Sequence, residues 1–170
     1  MKLAPVQRAL SDRYGNVITV HTGQHYDHNM SEVFFEELDI PVPNVHLEVG
    51  SGSHATQTSR IMTSFEKLCF ELLPNLVVVF GDVNSTIACS LVAAKMEIPV
   101  AHVESGLRSG DRKMPEEINR IVTDHLSSLL FTTTSFASDN LIAEGINQDK
   151  ILLVGNVMID TLIQQTTSID

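Results

Sequence analysis

The sequence is short of the features that mark several classes of protein. It has no tryptophan, 5% aromatic residues and two cysteines among its 170 residues. Its longest apolar runs are about five residues, whereas a helix that crosses a bilayer needs about 20. The first residues also lack the charged and apolar regions of a signal peptide. These absences argue against a membrane protein and a disulfide-rich secreted domain, and we expect a soluble, cytoplasmic protein.

Positive charge is scarce as well. Lysine and arginine number 11 against 21 aspartates and glutamates, which gives a net charge of −10. Proteins that follow a nucleic-acid backbone need clustered cations to release its counterions. The charge balance therefore argues against a nucleic-acid partner.

The two cysteines show no sign of special chemistry. Cys69 and Cys89 lie among apolar neighbours on predicted amphipathic helices, and their spacing does not match that of a metal site. We interpret both as reduced core residues rather than as a disulfide or a nucleophile.

What the sequence does contain is a regular alternation of strand and helix patterns. Short runs of apolar or β-branched residues that end at turn residues predict strands. These strands are 17–21, 45–49, 76–80, 99–103, 129–132 and 151–154. The helices predicted from apolar residues at helical spacing are 2–10, 31–38, 55–73, 85–96, 115–125, 135–144 and a last one from 157. Such alternation is typical of an α/β fold with a Rossmann-like, doubly wound parallel sheet.

Two of the predicted strands end in carboxylates. The strand at 76–80 runs into Gly81 and Asp82, and the strand at 99–103 runs into Glu104. A strand-helix-strand crossover is right-handed and makes its strands parallel, so both acids should emerge at the same edge of the sheet. Ligands of open parallel sheets bind at that edge. The sequence therefore predicts an active site there, with the two side chains within about 10 Å of each other.

Five motifs occur along the chain in a fixed order. They are TGQH at 22–25, FGDVNST at 80–86, HVESGLRSGD at 102–111, MPEEINR at 114–120 and GNVMID at 155–160. Together they closely resemble the motifs of the non-hydrolysing UDP-N-acetylglucosamine 2-epimerases of bacteria and archaea. The resemblance implies one half of a glycosyltransferase-B-like architecture, in which the active site lies in the cleft between two domains.

The resemblance also implies catalytic roles for three carboxylates, Asp82, Glu104 and Glu116. Which of them removes a proton and which returns it stays open. The alternative for Asp82 is a helix cap after a strand. Glu116 lies in the first turn of a predicted helix, where the helix dipole favours an acid regardless of function, and its neighbour Glu117 competes for the same assignment.

Four further residues match substrate-binding positions of the family. The resemblance places Lys2 near the substrate phosphates and puts Gln24 and His25 in a loop linked to nucleotide-sugar binding. Arg120 either contacts the substrate or pairs with Glu116, which lies one helical turn earlier.

The histidines near these motifs have more ordinary interpretations. His25 and His28 with Asp27 form a weak metal-site pattern, because three ligands on one loop have no second cluster to complete them. His102 precedes Glu104 within a strand, where we expect a satisfied buried imidazole rather than a group that tunes the acid. No glycine fingerprint for a nicotinamide is present, and we expect the reaction to need no cofactor and no metal.

The implied reaction is the interconversion of UDP-N-acetylglucosamine and UDP-N-acetylmannosamine, for surface polysaccharide synthesis, by a homodimer. The alternatives are a hydrolysing 2-epimerase and a non-catalytic module. By comparison with the family, we expect residues 1–170 to be an N-terminal domain that lacks its first strand, its arginine loop and the C-terminal domain. We expect these residues alone not to epimerise the sugar, and to bind it no tighter than about millimolar, or about −4 kcal/mol.

Overall fold

The computed structural model describes residues 2–23 and 42–166. These residues belong to two compact units, one made of Met1–Ser51 with Asn156–Asp170 and the other of Gly52–Gly155. The helix predicted at 31–38 lies outside the described residues. Within the described ranges, no helix is long and apolar enough to cross a membrane.

In its described residues, the first unit has two short parallel strands and two helices. These elements are α1 (Leu3–Tyr14), β1 (Val20–His21), β2 (Val45–His46) and α6 (Val157–Thr166). Val20 pairs with Val45, so β1 and β2 run parallel. Both strands are shorter than predicted, and Glu48 has a left-handed φ of 49° that interrupts the extended backbone after β2.

The second unit is a four-stranded parallel sheet with helical connections. Its strands are β3 (Val77–Phe80), β4 (Val100–Ser105), β5 (Leu129–Thr132) and β6 (Ile151–Leu153). Its α-helices are α2 (His54–Leu72), α3 (Asn84–Lys95), α4 (Pro115–Leu126) and α5 (Ser135–Ala143), and a short 3-10 helix spans Gln148–Lys150. The strands lie in the order β3-β4-β5-β6, each parallel to the next. The predicted parallel α/β architecture is therefore confirmed.

Helix α2 shows how the sequence sets an element's ends. The Ser53 side chain caps its start by accepting a hydrogen bond from the Thr56 amide. Its buried face carries Ile61, Phe65 and Leu68, at helical spacing. The helix stops at Leu73, which adopts a left-handed conformation immediately before Pro74.

The core of this unit centres on β4. Val100, Ala101 and Val103 are 5% exposed or less. Cys69 and Cys89 are free and buried, as predicted. Burial, together with the nearby Cys69 thiol, raises the pKa of Cys89 to about 12, so this thiol stays protonated and unreactive at neutral pH.

The carboxyl end of β4 departs from regular strand geometry. The register with β5 shifts between Val103 and Ser105, and Glu104 between them has a φ of 71°. Left-handed backbone is strained for residues other than glycine. No strand pattern in the sequence predicted this bulge.

Gly106 shows why the turn after β4 is so tightly fixed. Its φ is 77°, and a Cβ atom placed on it would lie 2.3 Å from the Ala137 carbonyl oxygen. The backbone after Glu104 thus packs directly against the first turn of α5, at a distance that only glycine allows.

We expect Gly106→Ala to lower the free energy of unfolding by about 3 kcal/mol or more, because it combines left-handed strain with a backbone collision. Gly145→Ala is a matched control, since Gly145 has a φ of 86° with no atom within 4 Å of an added Cβ. The control should cost only about 1–2 kcal/mol. Urea unfolding of the two variants measures the difference, and equal losses would contradict the packing argument.

Candidate active site

Asp82 and Glu104 lie at the same edge of the sheet. Phe80 pairs with Val103, and the Gly81 amide continues the ladder by donating to the Val103 carbonyl at 3.1 Å. The two acids therefore follow neighbouring parallel strands at their carboxyl ends. Both are partly exposed and neither belongs to the core. The predicted placement at one edge is confirmed by the strand pairing, while the separation of about 10 Å and the catalytic roles remain predictions.

Two residues of α4 hold Asp82 in place by hydrogen bonds. Arg120 Nε donates to its Oδ2 at 2.9 Å, and Asn119 Nδ2 donates to its backbone oxygen at 2.8 Å. The residue at the N-cap of α3 is Val83, which makes no side-chain capping bond. Asp82 is therefore not the cap of the helix that follows it.

Of the two alternatives for Arg120, the ion pair with Glu116 is wrong, and the substrate contact stays a prediction. Arg120 Nη1 pairs with Glu117 Oε2 at 2.5 Å, and its Nε pairs with Asp82. Glu117 is 2% exposed, whereas Glu116 is half-buried. A buried carboxylate needs a cation much more than a partly solvated one does, and Glu117 reaches Arg120 across one helical turn.

Glu117 is a fixed anion rather than a proton carrier. Its carboxylate accepts hydrogen bonds from the Ser109 and Gly110 amides, each at 3.0 Å. Burial raises the pKa of Glu117, but these hydrogen bonds and the charge of Arg120 outweigh burial and hold it below the usual value. Of the two adjacent acids, Glu116 is consequently the better candidate for proton transfer.

A second buried network lies beneath the edge and centres on His102, which is fully buried. Its Nδ1 lies 2.6 Å from Asp124 Oδ1, and its Nε2 lies 2.7 Å from the Gly81 carbonyl oxygen. Asp124 Oδ2 accepts from Arg108 Nη1 at 2.8 Å and from the Gly106 amide at 3.1 Å. The predicted satisfied imidazole is confirmed.

Arg108 connects this network to α5. Its Nε and Nη2 each donate to the Glu144 carboxylate at 2.7 Å, while Nη1 contacts Asp124. Burial lowers the pKa of Arg108, but the two carboxylates outweigh burial and raise it further above its ordinary range. Arg108 is therefore a permanent cation shared by two acids.

A cleft of about 440 Å³ opens at the amino ends of α2, α3 and α4. Among the described residues that line it are His54, Asn84, Pro115, Ile118 and Asn119. None of the three predicted catalytic acids is among those lining residues. The cleft adjoins the site at two lining residues, Asn119, which holds Asp82, and Pro115, which precedes Glu116.

The remaining predicted site residues lie in the first unit or outside the described residues. Lys2 is half-buried and lies just before α1, in the first unit. Gln24 and His25 lie outside the described residues, as do Asp27 and His28. Across residues 2–23 and 42–166, no group of three or more His, Cys, Asp and Glu side chains could hold a metal ion.

The sequence patterns did not identify several residues that organise the site. Glu117 was considered only as a competitor of Glu116, and Asp124 and Arg108 were not singled out. The apolar pattern of α4 did not mark Asp124, because the buried face of this helix carries Glu117, Asn119, Thr123 and Asp124. Charged side chains are almost never fully buried unless they are paired, so an acid on that face indicates a partner.

Comparison with solved structures first defines the class of fold. The crystal structure of Methanocaldococcus jannaschii UDP-GlcNAc 2-epimerase in complex with UDP-GlcNAc and UDP matches with a TM-score of 0.93 and 50% identity. The match covers 96% of this chain and 45% of that chain. The fold is that of the glycosyltransferase-B-like epimerases.

The family follows from the sequence comparison. The model of the UDP-N-acetylglucosamine 2-epimerase family matches residues 8–170, and the chain belongs to this family. The UDP-N-acetylglucosamine 2-epimerase of M. jannaschii is 49% identical over 164 residues, which cover 96% of this chain and 45% of the relative. A Pseudomonas aeruginosa UDP-2,3-diacetamido-2,3-dideoxy-D-glucuronate 2-epimerase is 45% identical, covering 99% of this chain and 49% of the relative. The chain thus spans about half the length of these relatives.

We expect Glu117→Gln to lower the free energy of unfolding by about 3 kcal/mol at neutral pH, because it leaves Arg120 without its buried partner. The folded-state pKa of Glu117 lies below the ordinary value of 4.5, so its contribution is present above pH 4.5 and is lost as the pH falls through the folded pKa. The difference between wild type and variant should therefore shrink in acid.

Urea unfolding at a series of pH values measures this difference. Glu116→Gln is the matched control, and it should change the free energy of unfolding by less than about 0.5 kcal/mol. A Glu117→Gln deficit that stays constant down to the acid limit of folding would show that the ionised carboxylate is not what stabilises this site.

Proposed function

We propose that the chain forms one wall of the active site of a non-hydrolysing UDP-N-acetylglucosamine 2-epimerase, an isomerase that interconverts UDP-N-acetylglucosamine and UDP-N-acetylmannosamine. One observation carries the proposal. Asp82 and Glu104 stand at the carboxyl ends of two paired strands, and Glu104 is held there in a left-handed bulge. Backbone strain of this kind is concentrated at functional sites, where the surrounding structure maintains it.

The chemistry explains why acids are needed. The proton on C2 of the sugar is not acidic, since no carbonyl carbon is bonded to C2. Elimination avoids this difficulty: a base takes the C2 proton, the C–H electron pair becomes the C1=C2 bond, and the C1–O bond breaks with its electrons leaving on UDP. An acid then returns a proton to the opposite face of C2 as a UDP oxygen re-attacks C1. Both steps are redox-neutral, so neither needs a nicotinamide as hydride acceptor, and the proposal routes no step through a metal.

Carboxylates suit both steps. A positioned carboxylate or carboxylic acid can remove or return a proton, and a carboxylate stabilises the positive charge that develops at C1 as UDP leaves. We propose Asp82, Glu104 and Glu116 for these roles. Inversion needs proton transfer at two faces of one carbon, and the distinct anchoring of Asp82 and Glu104 supports separate roles for them.

The other proposed residues bind or orient. Arg120 forms ion pairs with Asp82 and with Glu117. These pairs support a role in orienting Asp82, in addition to the substrate contact proposed for Arg120. Lys2 is proposed for the diphosphate, where a compact cation would offset negative charge. Gln24 and His25 are proposed for the nucleotide sugar on the strength of their motif.

A second substrate is favoured by one comparison. The P. aeruginosa relative, at 45% identity, is named for a diacetamido glucuronate rather than for N-acetylglucosamine. The chemistry at C2 would be the same, but the glucuronate brings an additional carboxylate to a wall of acids on a chain of net charge −10. UDP-N-acetylglucosamine is therefore the first substrate to test.

The cellular setting is part of the same proposal. A cytoplasmic location, a homodimer and the supply of N-acetylmannosamine for a surface polysaccharide all rest on the resemblance of the motifs. The hydrolysing alternative would release free N-acetylmannosamine and UDP instead of the epimeric nucleotide sugar.

We expect Asp82→Asn and Glu104→Gln each to lower turnover by about a hundredfold or more, with a modest change in nucleotide affinity, because each removes a group that acts in proton transfer. The test protein is a chimera in which residues 1–170 replace the aligned region of the M. jannaschii enzyme. NMR in deuterated water measures exchange at C2 and the sugar products, with either nucleotide sugar as substrate.

Glu71→Gln, an exposed acid on α2, is the control and should leave turnover unchanged. Near-normal turnover in either site variant would remove that residue from the mechanism. Free N-acetylmannosamine as the product would favour the hydrolysing alternative.

A further inference from the structure

The His102 network is built from charges that the proposed proton transfers do not use. It consists of His102, Asp124, Arg108 and Glu144, joined by contacts of 2.6 to 2.8 Å. His102 and Asp124 side chains have no solvent exposure, and that of Arg108 has 11%. Buried ion pairs rarely add stability over well-packed apolar side chains, so a network of this size calls for another reason.

The hydrogen-bond partners of His102 fix where its protons lie. A backbone carbonyl only accepts, so Nε2 must donate to Gly81. The second oxygen of Asp124, Oδ2, accepts hydrogen bonds from Arg108 and from the Gly106 amide, as the oxygen of an ionised carboxylate does. An ionised carboxylate accepts at Oδ1 too, so Nδ1 also donates and the ring is an imidazolium. The charged groups facing it are Asp124 from α4 and, beyond Asp124, Arg108.

The two hydrogen bonds that His102 donates connect it to the two turns that carry the proposed acids. The Gly81 carbonyl immediately precedes Asp82 at the end of β3. Asp124 binds the Gly106 amide, two residues after Glu104 at the end of β4. His102 itself lies two residues before Glu104, so the strained residue is fixed on both sides. One imidazolium thus links the end of β3 to the turn after β4.

We propose that His102, as an imidazolium paired with Asp124, is a positioning residue that sets the separation and orientation of Asp82 and Glu104. It acts through the backbone on both sides of the site and does not touch the substrate. The kinetic part of this inference rests on the proposed epimerase function, whereas the protonation of His102 does not.

The protonation is tested on the chain itself by nitrogen-15 NMR of the histidine side chains in neutral buffer. The signals of His102 are assigned by their loss in His102→Gln. We expect both ring nitrogens of His102 to be protonated in the wild-type chain. A signal of an unprotonated ring nitrogen at His102 would overturn the imidazolium, whatever the activity of the protein.

The positioning role is tested in the chimera with His102→Gln and Asp124→Asn. Each variant should lower kcat by about 10- to 100-fold while KM changes by less than about threefold, because the acids are misplaced but the binding groups are kept. His125→Gln is the matched control, since His125 is exposed, follows Asp124 on α4 and hydrogen-bonds the Ile121 carbonyl of its own helix. It should leave both parameters unchanged.

The outcomes separate the two proposals. A folded His102→Gln variant with kcat near that of wild type would overturn the positioning role. A wild-type chimera with no epimerase activity would contradict the proposed function, while the NMR measurement would still decide the state of His102. If His102→Gln does not fold, Asp124→Asn supplies the same kinetic comparison, and an unchanged kcat there would equally overturn the proposal.

Discussion

The left-handed turn at Glu104 is the constraint on which the rest of the candidate site depends. A glutamate with a φ of 71° persists only if its neighbours hold it, and the register shift against β5 shows that the strand gives up regular pairing there. Gly106 lets the backbone after Glu104 approach α5, and the Gly106 amide donates a hydrogen bond to Asp124. The consequence is an acid aimed by the backbone rather than by rotation of its side chain alone.

Helix α4 supplies the groups that hold both acids. Glu117, Arg120 and Asp124 recur at intervals of three and four residues, which puts them on one face of the helix. The first two anchor the Asp82 side, and Asp124 anchors the Glu104 side through His102 and Gly106. Because one rigid helix carries both anchors, a shift of α4 would move the two acids together and preserve their separation. The same helix carries Glu116 in its first turn.

The fold could be predicted from the sequence because it follows from local patterns. The strand at 129–132 is set by a short apolar run, and the helix that begins at Pro115 is set by a proline at the first helical position. The bulge at Glu104 could not be predicted, because it depends on tertiary contacts. Gly106 packs against α5, and its amide donates a hydrogen bond to Asp124, 18 residues further along the chain. The partner of Arg120 was misassigned for a similar reason, because burial chose between two adjacent glutamates that look alike in sequence.

The most direct test of this view of the site is a crystal structure of the chimera with UDP-N-acetylglucosamine or its reaction products bound. The sugar ring should lie over the ends of β3 and β4, with the Asp82 and Glu104 carboxylates within hydrogen-bonding reach of C2 or C1 substituents, or one water away. Glu104 should keep its left-handed turn, and His102 should still bridge Gly81 and Asp124. A sugar ring bound elsewhere, with either carboxylate about 8 Å or more from C2, would contradict the central claim that this edge carries the chemistry.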